Sequence, residues 1–86
     1  MPLTLARGNR SVHVSDDTIW WILRELHSAV SGREFGERIT NWDRKDPLEL
    51  SDEEYGLIQN AADLTMKKRP PAAVHDELMS LRLLRD

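Results

Sequence analysis

The strongest structural signal in the sequence is a helix start at Ser51. Glu54 follows three residues later, so the two side chains can form a capping box, in which each accepts a hydrogen bond from a backbone N–H of the other. Leu50 and Tyr55 stand at the two positions of a hydrophobic staple around this cap. A helix is therefore predicted over 52–68, and the two prolines that follow prevent it from continuing.

Three further helices are predicted from similar signals. Ser15 is a good N-cap for a first helix over 16–31, which Gly32 is expected to end as the C′ residue. Apolar residues at spacings of four and three predict a short second helix over 33–42. Because proline is tolerated in a first turn, the proline pair permits a fourth helix over 71–84.

The N-terminal segment has a different pattern. Residues 3–14 alternate weakly between apolar and polar side chains, which is typical of a short β-hairpin with Gly8 and Asn9 accepting positive φ in the turn. A lone two-stranded ribbon is only marginally stable in water. The ribbon is therefore expected to pack on the helices, to pair with another copy, or to stay frayed.

The predicted fold class is all-α, or nearly so: a small bundle of three to four helices with a possible short N-terminal hairpin. Residues 1–86 are expected to form a single domain, with 1–14 as a hairpin or arm and 15–86 as the bundle. The apolar face of the first helix includes Ile22 and Ala29. The predicted core consists of Ile19, Leu23, Leu26, Val30, Ile39, Tyr55, Ile58, Ala62, Leu78 and Leu81.

Composition narrows the class of protein. The chain contains no cysteine, which excludes disulfides and thiolate metal sites. The N-terminus lacks the apolar run of a signal peptide, and no segment approaches the roughly 20 apolar residues that span a bilayer. A cytoplasmic location without membrane association is the expectation.

Catalysis is not predicted. The three histidines, at positions 13, 27 and 75, have no second histidine at metal-ligand spacing, and no serine stands in a nucleophile elbow. The four glycines are scattered and form no phosphate-binding loop. Since no nucleophile, base and orienting group can be assembled, we expect neither an enzyme nor a cofactor or metal.

Four apolar side chains lie away from the predicted core. Trp21 falls on the polar side of the first helix with Trp20 at the edge, and Met79 and Leu83 lie off the core stripe of the fourth. Such residues are enriched at interface centres, which predicts a protein-binding module: an adaptor, inhibitor or regulatory subunit, in monomeric or homodimeric form. The alternative is that the monomer buries them itself, Trp21 against the ribbon and the other two against 35–50.

The acidic segment 46–54 suggests a second hypothesis. Asp46, Glu49 and Glu53 are expected to orient a protein partner. Carboxylates spaced along a small domain can also imitate a phosphate backbone, as in small acidic inhibitors of phage or plasmid type that block nucleic-acid-binding proteins. The competing interpretation is that the acids simply favour the start of the third helix.

Basic residues at the end of the third helix and at the end of the fourth suggest a third hypothesis, a small nucleic-acid-binding transcriptional regulator. Arg7 and Arg10 of the hairpin add to this set of cations. The net charge of −3, and the acids near the start of the fourth helix, argue against binding to phosphates. The candidate phosphate-contacting residues are Lys67, Lys68, Arg69, Arg82 and Arg85.

Overall fold

A computed structural model describes residues 2–28 and 30–85. The chain forms a small three-stranded sheet with helices packed on one face, and a 3₁₀ turn follows the last helix. In chain order the elements are β1 (Leu3–Arg7), β2 (Arg10–Val14), α1 (Asp16–Leu26), α2 (Val30–Thr40), β3 (Leu48–Glu49), α3 (Asp52–Lys67), α4 (Ala72–Ser80) and the C-terminal turn (Leu81–Leu84).

The predicted all-α class is wrong, because the hairpin gains a third strand. The strands lie in the order β2-β1-β3, with β2 antiparallel and β3 parallel to β1. Leu48 pairs with Leu5, and the Leu50 amide donates to the carbonyl of Ala6 at 2.8 Å. A strand of two residues is too short to show an alternating pattern, so the sequence did not predict β3.

The hairpin turn depends on one glycine. Gly8 has a φ of 62°, whereas Asn9 stays out of the positive-φ region that the sequence predicted for both residues. A positive φ at the first central position alone is typical of a type II′ turn, whose twist matches that of the flanking strands. This two-residue turn fixes the register in which Arg7 faces Arg10.

The boundary between the first two helices differs from the prediction. α1 ends at Leu26 and α2 begins at Val30, so Gly32 lies inside the second helix and does not end the first. A Cβ atom at Gly32 would stand 2.1 Å from the carbonyl oxygen of Leu26. Gly32 is therefore needed for close approach of two backbone segments. Ala29, which was expected on the apolar face of the first helix, lies outside the described residues.

Two glycine-to-alanine variants are expected to change stability in opposite directions. Gly32→Ala should lower the free energy of unfolding by about 1–3 kcal/mol, because its Cβ overlaps backbone that cannot rotate away. Gly56→Ala should raise it by about 0.5–1 kcal/mol, because a Cβ there meets nothing within 4 Å and alanine favours the interior of α3. Urea denaturation of both variants measures the difference, and equal shifts would contradict the close approach at Gly32.

The core lies between the sheet and the helices. Leu23 and Tyr55 are partly buried against this core, and Val30 is a wrong prediction, since it is 75% exposed at the start of α2. The predicted core residues that are fully buried are Ile19, Leu26, Ile39, Ile58, Ala62, Leu78 and Leu81. The strands add Leu3, Leu5, Val12, Val14 and Leu48. Within the described part of the chain, no helix has the length and apolarity needed to cross a membrane.

Candidate functional site

The start of α1 is held in place by a carboxylate from α4. Ser15 caps the helix, and Glu77 accepts hydrogen bonds from the Ser15 hydroxyl at 2.7 Å, the Ser15 amide at 3.0 Å and the Thr18 hydroxyl at 2.5 Å. Partial burial raises the pKa of Glu77, but the hydrogen bonds from Thr18 and Ser15 outweigh it and leave that pKa below its ordinary value. This arrangement fixes the orientation of α1, which carries both consecutive tryptophans.

Trp20, Trp21 and Arg24 form a layered cluster on α1, which we call the tryptophan surface. The two indole rings meet edge to face, with centroids 5.6 Å apart and an interplanar angle of 87°. The Arg24 guanidinium carbon lies 4.8 Å from the Trp20 ring centroid and 5.5 Å from that of Trp21. The helix brings Arg24 to both rings because Arg24 lies four residues after Trp20 and three after Trp21, and residues at these spacings are neighbours on a helix surface.

The two tryptophans exchange the roles that helical angles suggested. Trp20 is 55% exposed, whereas Trp21 is half-buried and packs against the core. Glu25 lies four residues after Trp21 and forms an ion pair with Lys68 at the end of α3. The side of α1 that looks polar in the sequence therefore faces another helix, which gives Trp21 a neighbour to pack against.

The environment of the Arg24 guanidinium differs from that of two other arginines, which pair with carboxylates. Arg38 pairs with Glu54, and Arg44 pairs with Asp16. Among residues 2–28 and 30–85, Arg24 forms no ion pair, and its contacts are with the two indole faces. Its guanidinium therefore keeps hydrogen-bond donors that a carboxylate from outside the molecule can use.

Met79 and Leu83 form a second exposed apolar pair. Met79 is 38% exposed on α4, and Leu83 is 63% exposed on the C-terminal turn. The neighbouring Leu78, Leu81 and Leu84 are fully buried, so the core takes the opposite side of this segment. The structure thus leaves both predicted side chains in contact with solvent, on a different element from the tryptophans.

Two carboxylates of the acidic segment form contacts within the molecule. Asp52 pairs with Arg7, and Glu54 completes the capping box with Ser51 and also pairs with Arg38. These carboxylates stabilise the start of α3, as the competing interpretation of the sequence expected. The three acids predicted to orient a partner, Asp46, Glu49 and Glu53, are exposed.

The basic residues do not form an unbroken patch. Lys68 pairs with Glu25 of α1. Arg82 and Arg85 line a shallow hollow beside α3 together with the acids Glu53 and Asp63. The remaining two candidates, Lys67 and Arg69, are exposed at the end of α3. Carboxylates therefore stand between the cations that a nucleic-acid backbone would have to contact.

Arg7 and Arg10 hold the C-terminal turn against the hairpin, an arrangement we call the terminal clamp. Arg7 donates to the carbonyl of Leu84 at 3.0 Å and stacks over the Tyr55 ring at 4.8 Å. Arg10 donates to the carbonyls of Leu83 at 3.2 Å and Arg85 at 2.6 Å. The sequence suggested phosphate contacts for these arginines, but the structure uses them to satisfy carbonyls at a helix end.

Within the described residues, the His13 and His27 rings have contacts that belong to the fold. No cluster of three or more possible metal ligands occurs in that part of the chain. His13 hydrogen-bonds with the Thr4 hydroxyl at 2.8 Å across the hairpin, and the His27 ring lies against Gly36. Sequence reasoning missed Glu77, whose carboxylate accepts hydrogen bonds from Ser15 and Thr18, because these partners belong to the start of another helix.

Comparisons with known proteins give no family. No protein-family model matches the chain, and neither the curated proteins nor the solved structures contain a significant match. The function is therefore argued from the chain's own residues.

Proposed function

We propose that this chain is a non-catalytic protein-binding module and that the tryptophan surface is its docking site. The observation that carries the proposal is the arrangement of Trp20, which is 55% exposed while Trp21 and Arg24 hold its ring from two sides. A large apolar ring is thus both available and already ordered.

The Trp20 ring is both exposed and ordered, and each property favours the binding of a partner. Covering half of a tryptophan side chain removes about 100 Å² of apolar area from water, which is worth about 2.5 kcal/mol. Because the ring already packs against Trp21 and Arg24, little side-chain entropy is lost when a partner covers it. Tryptophan and arginine are also the residue types that most often dominate binding energy at protein interfaces.

The chemistry of the surface defines the partner. An apolar side chain is needed to cover the Trp20 ring, and a carboxylate next to it would pair with the Arg24 guanidinium. The partner is therefore a protein segment in which an apolar residue is flanked by aspartate or glutamate. The ion pair would form over two indole rings, where water is partly excluded and electrostatic attraction is stronger than in bulk solvent.

Selection from a displayed library of random peptides tests this proposal. The intact chain should enrich peptides that combine an apolar residue with a neighbouring acid. Trp20→Ala should weaken their binding by about tenfold to a hundredfold, the loss expected for an interface anchor. Arg24→Glu should abolish the preference for acidic neighbours. Fluorescence anisotropy of a labelled peptide measures the dissociation constants.

Val30→Ala provides the control, since Val30 is 75% exposed but lies on α2. This variant should bind the selected peptides as tightly as the wild type does. Trp21 is not a suitable probe, because its ring packs against the core and its removal would also destabilise the fold. Equal binding by wild type and Trp20→Ala, or enrichment of basic peptides, would rule out the tryptophan surface as the docking site.

A further inference from the structure

The outer edge of β2 carries unpaired backbone groups. β2 is the edge strand, and the two-residue turn makes Arg7 and Arg10 a hydrogen-bonded pair. Hydrogen-bonded and non-hydrogen-bonded pairs alternate along an antiparallel ladder, so the N–H and C=O groups of Ser11 and His13 point away from β1. Neither residue has a backbone partner on that side among those the structure describes.

The C-terminal segment runs opposite in direction to β2 along the helix-covered face of the sheet, where Leu81 and Leu84 belong to the core. Ser11 and His13 remain exposed at the edge. Arg10 at the start of β2 bonds to the carbonyls of Leu83 and Arg85. Ser15, the residue after β2, bonds to Glu77 of α4. The two attachments place the exposed Leu83 near the start of β2 and the second half of α4 near its end.

The two ends of the edge carry opposite charges. Exposed Arg10 and Arg85 lie at the start of β2, whereas exposed Asp17 and Asp76 lie near its end. An edge that is basic at one end and acidic at the other is complementary to itself when a second copy runs antiparallel to it. A two-fold axis through such an edge places each basic end opposite an acidic end.

We propose that two copies of the chain associate through their β2 strands, forming one continuous six-stranded sheet. With the two-fold axis at Val12, Ser11 of one copy exchanges N–H and C=O hydrogen bonds with His13 of the other. The Val12 side chains then meet on the helix-covered face, since both belong to the core. The exposed Leu83, whose carbonyl bonds to Arg10, lies near the start of β2 and can add apolar area to the contact. The proposed β2 contact is defined without any residue of the tryptophan surface, so neither proposal depends on the other.

A pair of variants at Ser11 tests the backbone contact. Ser11→Ala keeps the outward N–H, whereas Ser11→Pro removes it, and proline is tolerated where an edge N–H faces solvent. Sedimentation equilibrium over a range of protein concentrations should show dimers for wild type and Ser11→Ala. Because the lost hydrogen bond occurs twice in a symmetric dimer, Ser11→Pro should raise the dissociation constant about tenfold to a hundredfold.

Hydrogen exchange of the unmodified chain tests the same contact without a change that affects folding. The Ser11 and His13 amides should become protected as protein concentration rises. The Val12 amide, which bonds to β1 within the hairpin, should be protected at every concentration. Arg85→Glu and Asp76→Lys should each weaken the dimer, and their combination should restore it. A monomer at all concentrations, or a dimer in which the Ser11 and His13 amides stay unprotected, would overturn the proposal.

Discussion

Replacing Leu48 by alanine is expected to lower the free energy of unfolding by about 3 kcal/mol. Leu48 pairs with Leu5 in the sheet, and its side chain is fully buried. Removing a buried leucine side chain costs about 2–5 kcal/mol. A domain of this size has a total stability on the order of 5 kcal/mol. Guanidinium denaturation followed by tryptophan fluorescence should therefore show a midpoint far below that of the wild type.

Leu64→Ala is the matched control for this experiment. It makes the same chemical change on α3, but Leu64 is 43% exposed and leaves no cavity when truncated. We expect Leu64→Ala to cost less than about 1 kcal/mol. If the two variants were equally stable, β3 would not contribute to the core and the corrected fold class would fail.

Replacing Glu77 by glutamine is expected to lower stability by about 2 kcal/mol at neutral pH. Glu77 accepts three hydrogen bonds at the start of α1, and hydrogen bonds to a charged group contribute about 1.5–3 kcal/mol. Because folding lowers the pKa of Glu77, its stabilisation is fully present above the ordinary value of 4.5 and is lost as the pH falls through the folded-state value. The stability curves of wild type and variant should therefore converge on acidification.

Glu37→Gln serves as the control for the pH dependence. Glu37 is an exposed acid on α2, and its carboxylate has no hydrogen-bond or ion-pair partner among the described residues. The stability curve of this variant should follow that of the wild type from neutral to acidic pH. A difference between wild type and Glu77→Gln that persisted unchanged into acid would mean that the carboxylate charge does not stabilise α1.

Local signals predicted the helix starts well. The Ser15 and Ser51 side chains each accept a hydrogen bond from a backbone N–H three residues later, so the partner that defines each helix start lies in the local sequence. The predictions failed where partners come from elsewhere in the chain. β3 exists because β1 offers a free edge, and α1 ends at Leu26 because α2 turns back across its last carbonyl groups.

In the candidate site, too, the sequence predicted local features but missed contacts with other elements. Helical geometry placed Trp21 on the polar side of α1 and Trp20 at its edge, but it could not predict that Trp21 would pack against the core while Trp20 stays exposed. Lys68 reaches Glu25 only because α3 packs along α1. Glu77 resembles any surface acid in the sequence, since its role requires α4 to meet the first turn of α1.

The terminal clamp has a consequence for synthesis on the ribosome. Arg7 and Leu84 are 77 positions apart, and at about 5–20 residues per second the carbonyl that Arg7 binds emerges about 4–15 s after the arginine itself. A hairpin closes within about 1–10 μs but is marginal without the surfaces that it packs against. During those seconds the hairpin lacks the C-terminal turn that Arg7 and Arg10 hold, so the contacts of the terminal clamp form only after residues 81–85 have been synthesised.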